Sequence, residues 1–514
     1  MPLLKKGIIS PGIEGLDFSK PGFLLSTSAG KIQNMRYYRG EMRKRCGKSK
    51  YGSVAISGGE IMGLGKFEDM ASGSQYLLRV SRTDLEAYNV ITATWSSIIA
   101  TAFTGGENDF FSFANVTESK IITVSNGVDR IRQWNGSGNA TLLGGNPPLA
   151  KYQAYISPYL LIANVTESGD VQPTKVRWCD TGNPEIWDSG NADEALCGND
   201  PSPIRNIITL DRYAAVYKRD SLWIGRPDAF DIFDFQCEKT GIGLAGSRCV
   251  ADVAGIHYFM SSSESSIDFH RWNGGIPEPF GNAVREEIAN KIATNYLQHC
   301  FALHVPHYNE VWFFIVIAGN TWPTVIYKFN YRTGFWYMDT CSEISSAILW
   351  KATSSITWDE MSEVWDNLAV TWDEMTVSGD YELILGDSSG DTYKEDILQL
   401  NDSGTAIDSY VETPDLVGDD LERMERWLRC DVWAAGIGKI YVDYSTDEGS
   451  SWTNLPFDST NAYATLSLTY TKFEFYIDVV AEKVRFRVRN AISGETFYLR
   501  ALYGWYLSRE VKIT

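Results

Sequence analysis

Few stretches of the 514-residue chain carry residue types at spacings that point to chemistry. Ser445-Thr446-Asp447-Glu448-Gly449-Ser450-Ser451-Trp452 has the Ser-x-Asp-x-Gly-x-x-Trp spacing of an Asp box. In such a turn Asp and Ser bond backbone groups while Trp packs underneath, so the expected role is structural. Asp387-Ser388-Ser389-Gly390-Asp391, with Glu395 and Asp396 after it, offers oxygens to a cation but lacks EF-hand spacing, and reads as a solvated turn. The five histidines are His257, His270, His299, His304 and His307; His304 and His307 lie three apart with no HExxH pattern around them. Gly241-Ile242-Gly243-Leu244-Ala245-Gly246 precedes no amphipathic helix and reads as a loop, not a dinucleotide fingerprint. Carboxylate pairs are numerous and none is singled out. The expectation is no catalytic residue, no metal, no cofactor and no enzymatic activity.

Charge is unevenly spread. The formal net charge is −19. Residues 355–425 hold twenty Asp or Glu against Lys394 and Arg423, whereas residues 31–50 hold eight basic residues and one acid, Glu41. A surface that coats nucleic acid is excluded by the overall sign. The basic stretch interleaves Tyr37 and Tyr38 with Arg36 and Arg39, followed by Arg43, Lys44 and Arg45. Tyrosine between arginines fits nucleic-acid stacking or an arm that meets an acidic neighbour, and contact between subunits is the testable form of the second reading. Within the acidic window, Trp358, Trp365 and Trp372 recur every seven residues, each followed by Asp, with Met361, Leu368 and Met375 three further on. Three heptads with Thr and Val are too short and too β-branched for a coiled coil. They read as turns that dock a Trp and an aliphatic side chain, either as a surface insertion or as an interaction element. The candidate subunit or partner contacts are therefore Arg36, Arg39, Arg43, Lys44, Arg45, Trp358, Trp365 and Trp372.

The elements that carry these residues are strands. Aromatics make up 13% and glycine numbers 44, a composition of strands and turns. A unit of about forty residues recurs from about residue 75 to about 396. Its third strand ends in an aromatic and a turn: Arg132-Gln133-Trp134-Asn135-Gly136, Val176-Arg177-Trp178-Cys179-Asp180, Ser221-Leu222-Trp223-Ile224-Gly225, His270-Arg271-Trp272-Asn273-Gly274 and Tyr327-Lys328-Phe329-Asn330-Tyr331. Ala-Asn-Val-Thr-Glu-Ser also occurs twice, at 114–119 and 163–168. A four-stranded blade cannot bury both faces alone, and closing a ring of blades protects the edges. The predicted fold is all-β: a β-propeller of six to eight blades at 61–404 with a heptad insertion at 357–377, an irregular N-terminal arm at 1–60, and a C-terminal β-sandwich at 405–514. A large β-sandwich is the competing fold. A short helix is expected near 289–298. The eight cysteines form no CxxC pair and read as reduced, mostly buried thiols. The first residues have no apolar segment of a secretory signal, and the longest apolar run, 311–318, has strand length.

Four stretches resemble a known family. They are Asn34-Met35-Arg36-Tyr37-Tyr38-Arg39-Gly40-Glu41-Met42-Arg43-Lys44-Arg45-Cys46-Gly47; the pair 216–225 and 253–260; Tyr327-Lys328-Phe329-Asn330-Tyr331-Arg332-Thr333-Gly334-Phe335-Trp336; and the Trp-Asp heptads before a strand-rich C-terminal region. Together they are similar to tail-nozzle or tail-hub proteins of short-tailed, podovirus-type bacteriophages, the group of packaged-DNA stabilisation proteins. The resemblance implies a structural virion protein made in the host bacterial cytoplasm. It implies a homohexameric ring below the portal and adaptor at the head-tail connection. DNA would pass through its channel during genome ejection without sequence-specific binding, and tail fibres, spikes or a needle would dock on it. The alternative is a carbohydrate-active propeller, either a glycan-binding module or a glycosidase. It rests on the Asp box, a motif that sialidase propellers carry in several copies.

Overall fold

Short aromatic and β-branched runs separated by Gly, Asn and Asp turns can bury one face only by pairing and stacking. The computed structural model of the chain describes residues 4–9, 14–25, 28–38, 40–52, 54–69, 73–90, 92–198, 200–229, 231–262, 266–350, 381–418 and 423–507. Arg39 and the heptads with Trp358, Trp365 and Trp372 lie outside them. The described residues form a seven-bladed β-propeller and a β-sandwich.

Six blades are consecutive four-stranded antiparallel sheets. They run from Gly63–Asp69 to Thr94–Ser97, Ser112–Val116 to Thr141–Leu142, and Leu149–Ile156 to Asp193–Leu196. The next three run from Ile204–Leu210 to Ile232–Thr240, Val250–Val253 to Glu278–Pro279, and Phe301–Val305 to Trp336–Thr340. The seventh is built from Ile344–Trp350, Glu382–Asp387 and Thr392–Asp396, and its fourth strand is Gly47–Lys50, supplied by the N-terminal region. The small hairpin Asn401–Asp402 and Thr405–Ala406 extends that sheet. First strands of most neighbouring blades lie side by side, the seventh against the first included, so they surround the axis.

The ring is closed by packing as well as by pairing. Ile56, Ile61, Leu64, Leu77, Trp350 and Ile384 form one apolar cluster between blades seven and one. Arg79 of blade one, 1% exposed, donates to Thr392 Oγ1 (2.9 Å) and to the carbonyl of Val54 (2.8 Å), and pairs with Glu86. A buried guanidinium is tolerated here because backbone oxygens and one carboxylate meet it.

The aromatic repeat is in phase with the blades. Trp134, Trp178, Trp223 and Trp272 all end or lie in the third strand of blades two to five, and each is at most 4% exposed. Three of them donate their indole N–H to a turn carbonyl: Trp134 to Gly138 (3.0 Å), Trp178 to Asn191 (3.1 Å), Trp272 to Gly275 (2.7 Å). A buried Trp needs such a partner, and the turn after the third strand provides it. The duplicated hexapeptide is not in phase. Its first copy lies on the first strand of blade two, its second on the second strand of blade three. What the copies share is local: Asn115 and Asn164 each donate to a backbone carbonyl of an adjacent blade, Lys66 and Ile204, at 3.0 Å.

The sandwich is discontinuous in sequence. One sheet holds Met35–Tyr38, Glu41–Lys44, Thr496–Leu507, Glu425–Ile437 and Thr471–Ala481, with Leu4–Ile9 also paired to Thr496–Leu507. The other is centred on Lys31–Gln33, Ser409–Glu412, Lys483–Asn490, Lys439–Ser445 and Thr453–Leu455. Alternation along Lys483–Asn490 turns Val484, Phe486 and Val488 inward onto Trp427, Phe475 and Leu502. This core is continuous with that of blades five and six. Against the expected 289–298, an α-helix, Arg285–Lys291, starts earlier and overlaps only its first residues, and a 3-10 turn, Thr294–His299, takes up its second half. All eight cysteines are free thiols, five of them buried.

Candidate functional site

The arm segment 14–34 runs beside the outermost strand of blade six. Leu16 N–H donates to Trp336 O (2.8 Å) and Asn34 N–H to Met338 O (3.0 Å). Asn34 is fully buried at φ +56°, a left-handed conformation that Asn tolerates. Its Nδ2 donates to Thr340 Oγ1 (2.8 Å) and Asp408 O (2.7 Å); its Oδ1 accepts from Thr340 N (2.9 Å) and Arg45 Nε (3.0 Å). Every donor and both lone-pair sites of the amide are used, which makes one side chain the joint of arm, blade six and sandwich.

Arg45 continues the joint. Its two terminal nitrogens reach the two oxygens of Asp402 at 2.9 and 2.6 Å. Lys50 pairs with Asp391 at 2.8 Å, and Arg36 lies 3.9 Å from Glu395. The basic stretch of the arm thus meets the acidic window within one chain. Gly47 sits where any Cβ would collide with the carbonyl oxygen of Asn401. The remaining candidates are also engaged internally: Lys44 Nζ donates to Asn490 Oδ1 (2.7 Å), and Arg43 Nε pairs with Glu41 (2.7 Å) between the rings of Tyr38 and Tyr498.

Blade six holds a second buried charged group beside this joint. Lys328 pairs with Asp339 and lies 3.7 Å from the Trp312 ring centroid, and the indole N–H donates to Glu310 Oε2 (2.7 Å). Burial pushes the Glu310 carboxyl above its usual range, against the opposing charges of Arg36 and Lys328.

The propeller axis has a mouth on the face where the first strands begin. A cavity of about 780 Å³, open to solvent, is lined there by Asn108, Asn126, Lys151, Asn164, Arg205 and Gln298 among others. Arg205 Nη1 is fixed by the carbonyls of Leu244 (2.5 Å) and Ala245 (2.6 Å); Gln298 Oε1 accepts from Ser247 N (3.2 Å). Asp109 also lines the cavity, so amides, Lys151, the carbonyl-held Arg205 and one carboxylate together suit recognition of a polar group.

The sequence motifs resolve as turns. Asp447 accepts from Ser445 Oγ (2.6 Å), Ser451 N (2.9 Å) and Ser451 Oγ (2.6 Å), bonds that pull its carboxyl down to about 2. The Asp box therefore closes a sandwich hairpin, with Trp452 under Arg487 at 4.3 Å. Asp387 accepts from Ser389 N, Ser389 Oγ and Asp391 N at 2.8–2.9 Å. Among the described residues no three His, Cys, Asp or Glu are grouped to hold a metal ion, and no helix is long and apolar enough to cross a membrane. Asn34 and Arg79 were not singled out from sequence. Asn34 stands in the quoted 34–47 motif, whereas nothing local marks Arg79.

No protein-family model matches the sequence, and no curated protein matches it. Solved structures are similar at low scores. YCF48 bound to a D1 peptide matches at 9% identity over 72% of this chain and 99% of that one, with a TM-score of 0.40. The exo-β-1,3-galactanase of Phanerochaete chrysosporium with galactose matches at 7% identity over 97% and 100%, TM-score 0.24. PorZ, a surface component of the type-IX secretion system of Porphyromonas gingivalis, matches at 12% identity over 79% and 46%, TM-score 0.33. The propeller assignment rests on the strand order of this chain itself.

Proposed function

We propose that the chain is a structural subunit of a tail nozzle or hub of a short-tailed bacteriophage. The observation that carries this reading is the fate of the 34–47 motif that resembles that family. Asn34, Arg45 and Gly47 are the residues that bolt the arm to blades six and seven and to the sandwich. A part that transmits force between a capsid and fibres needs its domains joined by such a lock and not by a free linker. On this reading copies of the chain form a ring, six-fold in the family, below the portal and adaptor; DNA passes through the ring and fibres, spikes or a needle dock outside it. Cryo-electron microscopy of the purified protein and of virions tests it: rings and tail density fitting propeller and sandwich are expected, and a monomer that never joins tails overturns it.

A glycan-binding propeller is a second reading, favoured by the polar, amide-lined cavity at the channel mouth. A glycan array combined with a hydrolysis screen separates the two; specific glycan binding abolished by Lys151→Ala would favour it.

A further inference from the structure

The fourth strands that end the blades are short, except Ile232–Thr240 of blade four. The sandwich ends differently. Thr471–Ala481, eleven residues long, is the last strand of its sheet and pairs only with Glu425–Ile437. Among the described residues none of its main-chain groups bonds to anything on its other side. The pairing is regular from Thr471 to Tyr476, opposite Ala434 to Arg429, and slips between Tyr476 and Val479. The strand holds no Pro and no Gly. A long unpaired edge is a template for another strand, and prolines, bulges or repelling charges are what prevent it.

The charges on this edge are of two signs, and their order is self-complementary. Phe473 and Phe475 turn into the core against Phe457, while Lys472, Glu474 and Tyr476 turn outward, Tyr476 being 63% exposed. When two such strands lie antiparallel with Phe473 opposite Phe473, Lys472 of each copy stands opposite Glu474 of the other. Two ion pairs result, and the apolar layer continues across the join. Moving the centre by one residue either way sets Glu474 against Glu474 or Lys472 against Lys472, so the charges also select the register. Both side chains are already held on the outer face. Lys472 pairs with Glu474 and lies 3.6 Å from Asp431, and Glu474 accepts from Arg429 Nη1 (3.2 Å) and Tyr476 OH (3.1 Å). The other long edge, Ile232–Thr240, has Asp234 and Glu238 with no base between them, so it offers a copy no such pairing.

We propose that Thr471–Tyr476 is a docking edge for a second copy of this chain, the two strands joining antiparallel about Phe473 so that one sheet runs through both sandwiches. The contact uses the same patch on both copies and is two-fold. It is therefore distinct from the head-to-tail contact that a ring repeats, and it does not rest on the tail reading. Six residues a side bury little surface, so the dimer dissociates on dilution.

Sedimentation velocity of the purified full chain over a wide concentration range is the first measurement. A reversible monomer–dimer equilibrium is expected, and amide hydrogen exchange at residues 471–476 should slow as concentration rises. Lys472→Glu and Glu474→Lys each turn both ion pairs into repulsions and should weaken dimerisation about tenfold or more. Mixing the two variants should restore it as a heterodimer, since an acidic edge then meets a basic one. The mixture separates the contact from the Lys472–Glu474 pair within one chain, which both variants lose and mixing cannot restore. If either variant fails to fold, the exchange pattern of the wild-type chain decides alone. A monomer at every concentration, or association that leaves residues 471–476 unprotected, overturns the proposal; a ring held by other surfaces would do so while leaving the tail reading intact. Dimers indifferent to both charge reversals, or dimers lost in both variants and not recovered on mixing, overturn it as well.

Discussion

Arg45 and Asp402, far apart in sequence, meet through two parallel hydrogen bonds of 2.9 and 2.6 Å. The same arginine holds Asn34 through Nε at 3.0 Å and lies 3.9 Å from Asp339. Removing it strands the Asp402 carboxylate in a largely dry seam, whereas Asp339 keeps Lys328. Arg45→Met is therefore expected to cost about 3 kcal/mol, read from the midpoint of urea unfolding. Arg45→Lys should recover only part of this, because an ammonium cannot reproduce the fork. Asp402→Asn combined with Arg45→Met should cost less than the two changes added separately.

Gly47→Ala places a methyl group on the Asn401 carbonyl, with backbone on both sides. Either Asn401 or the strand Gly47–Lys50, which lies between it and Thr392–Asp396 in blade seven, must then shift and disturb the pairing. A loss of about 2–3 kcal/mol is expected. Amide hydrogen exchange should localise it: Tyr393 and Glu395 lose protection while blades three and four keep theirs.

Acid should weaken the fold through its histidines. Burial lowers the affinity of His257, His270, His299, His304 and His307 for a proton. The unfolded chain, whose histidines titrate near 6.5, then binds more protons than the folded one below neutrality, so stability is intact above about pH 7 and declines as pH falls. His257, fully buried between Tyr217 OH (2.8 Å) and Thr209 O (3.1 Å), should contribute about 1 kcal/mol per pH unit in the acid range. Urea midpoints measured from about pH 8 to about pH 5.5 check the slope, and His257→Gln should flatten it.

Deleting residues 1–50 separates two views of the arm. An appendage could be removed without loss of the body. Here the deletion takes strands from both sandwich sheets and the fourth strand from blade seven. Loss of soluble, cooperatively folding protein is expected, with recovery when the segment is supplied by co-expression.

The propeller was legible because a buried Trp recurs in the third strand of blades two to five, and in three of them its indole bonds a carbonyl of the loop that follows. The sandwich strands were legible because alternation in Lys483–Asn490 and Lys439–Ser445 is a local property. The hexapeptide repeat misdirected: identical letters served two different blade positions, since what Asn115 and Asn164 need is only a neighbouring carbonyl. The partners of the arm were not legible. Arg36-Tyr37-Tyr38-Arg39 states a charge and a stacking capacity, and nothing local to it says that Glu395, Asp402 and Asn490 will come to meet it. Pairings across hundreds of residues leave no periodic trace.

The strand Gly47–Lys50 leaves the ribosome well ahead of its partner, Thr392–Asp396, which is translated some 340 residues later. At about 5–20 residues per second the interval is roughly 20–70 s. Until then Gly47–Lys50 has unpaired edges, and the arm can dock only on blade six once Trp336 and Met338 are made. Thr496–Leu507, made later still, joins Leu4–Ile9 and Glu41–Lys44 into one sheet. Release of a nascent chain before Thr392 therefore leaves the ring open with a loose arm, and release before Thr496 leaves the sandwich without a central strand, instead of a shorter functional product.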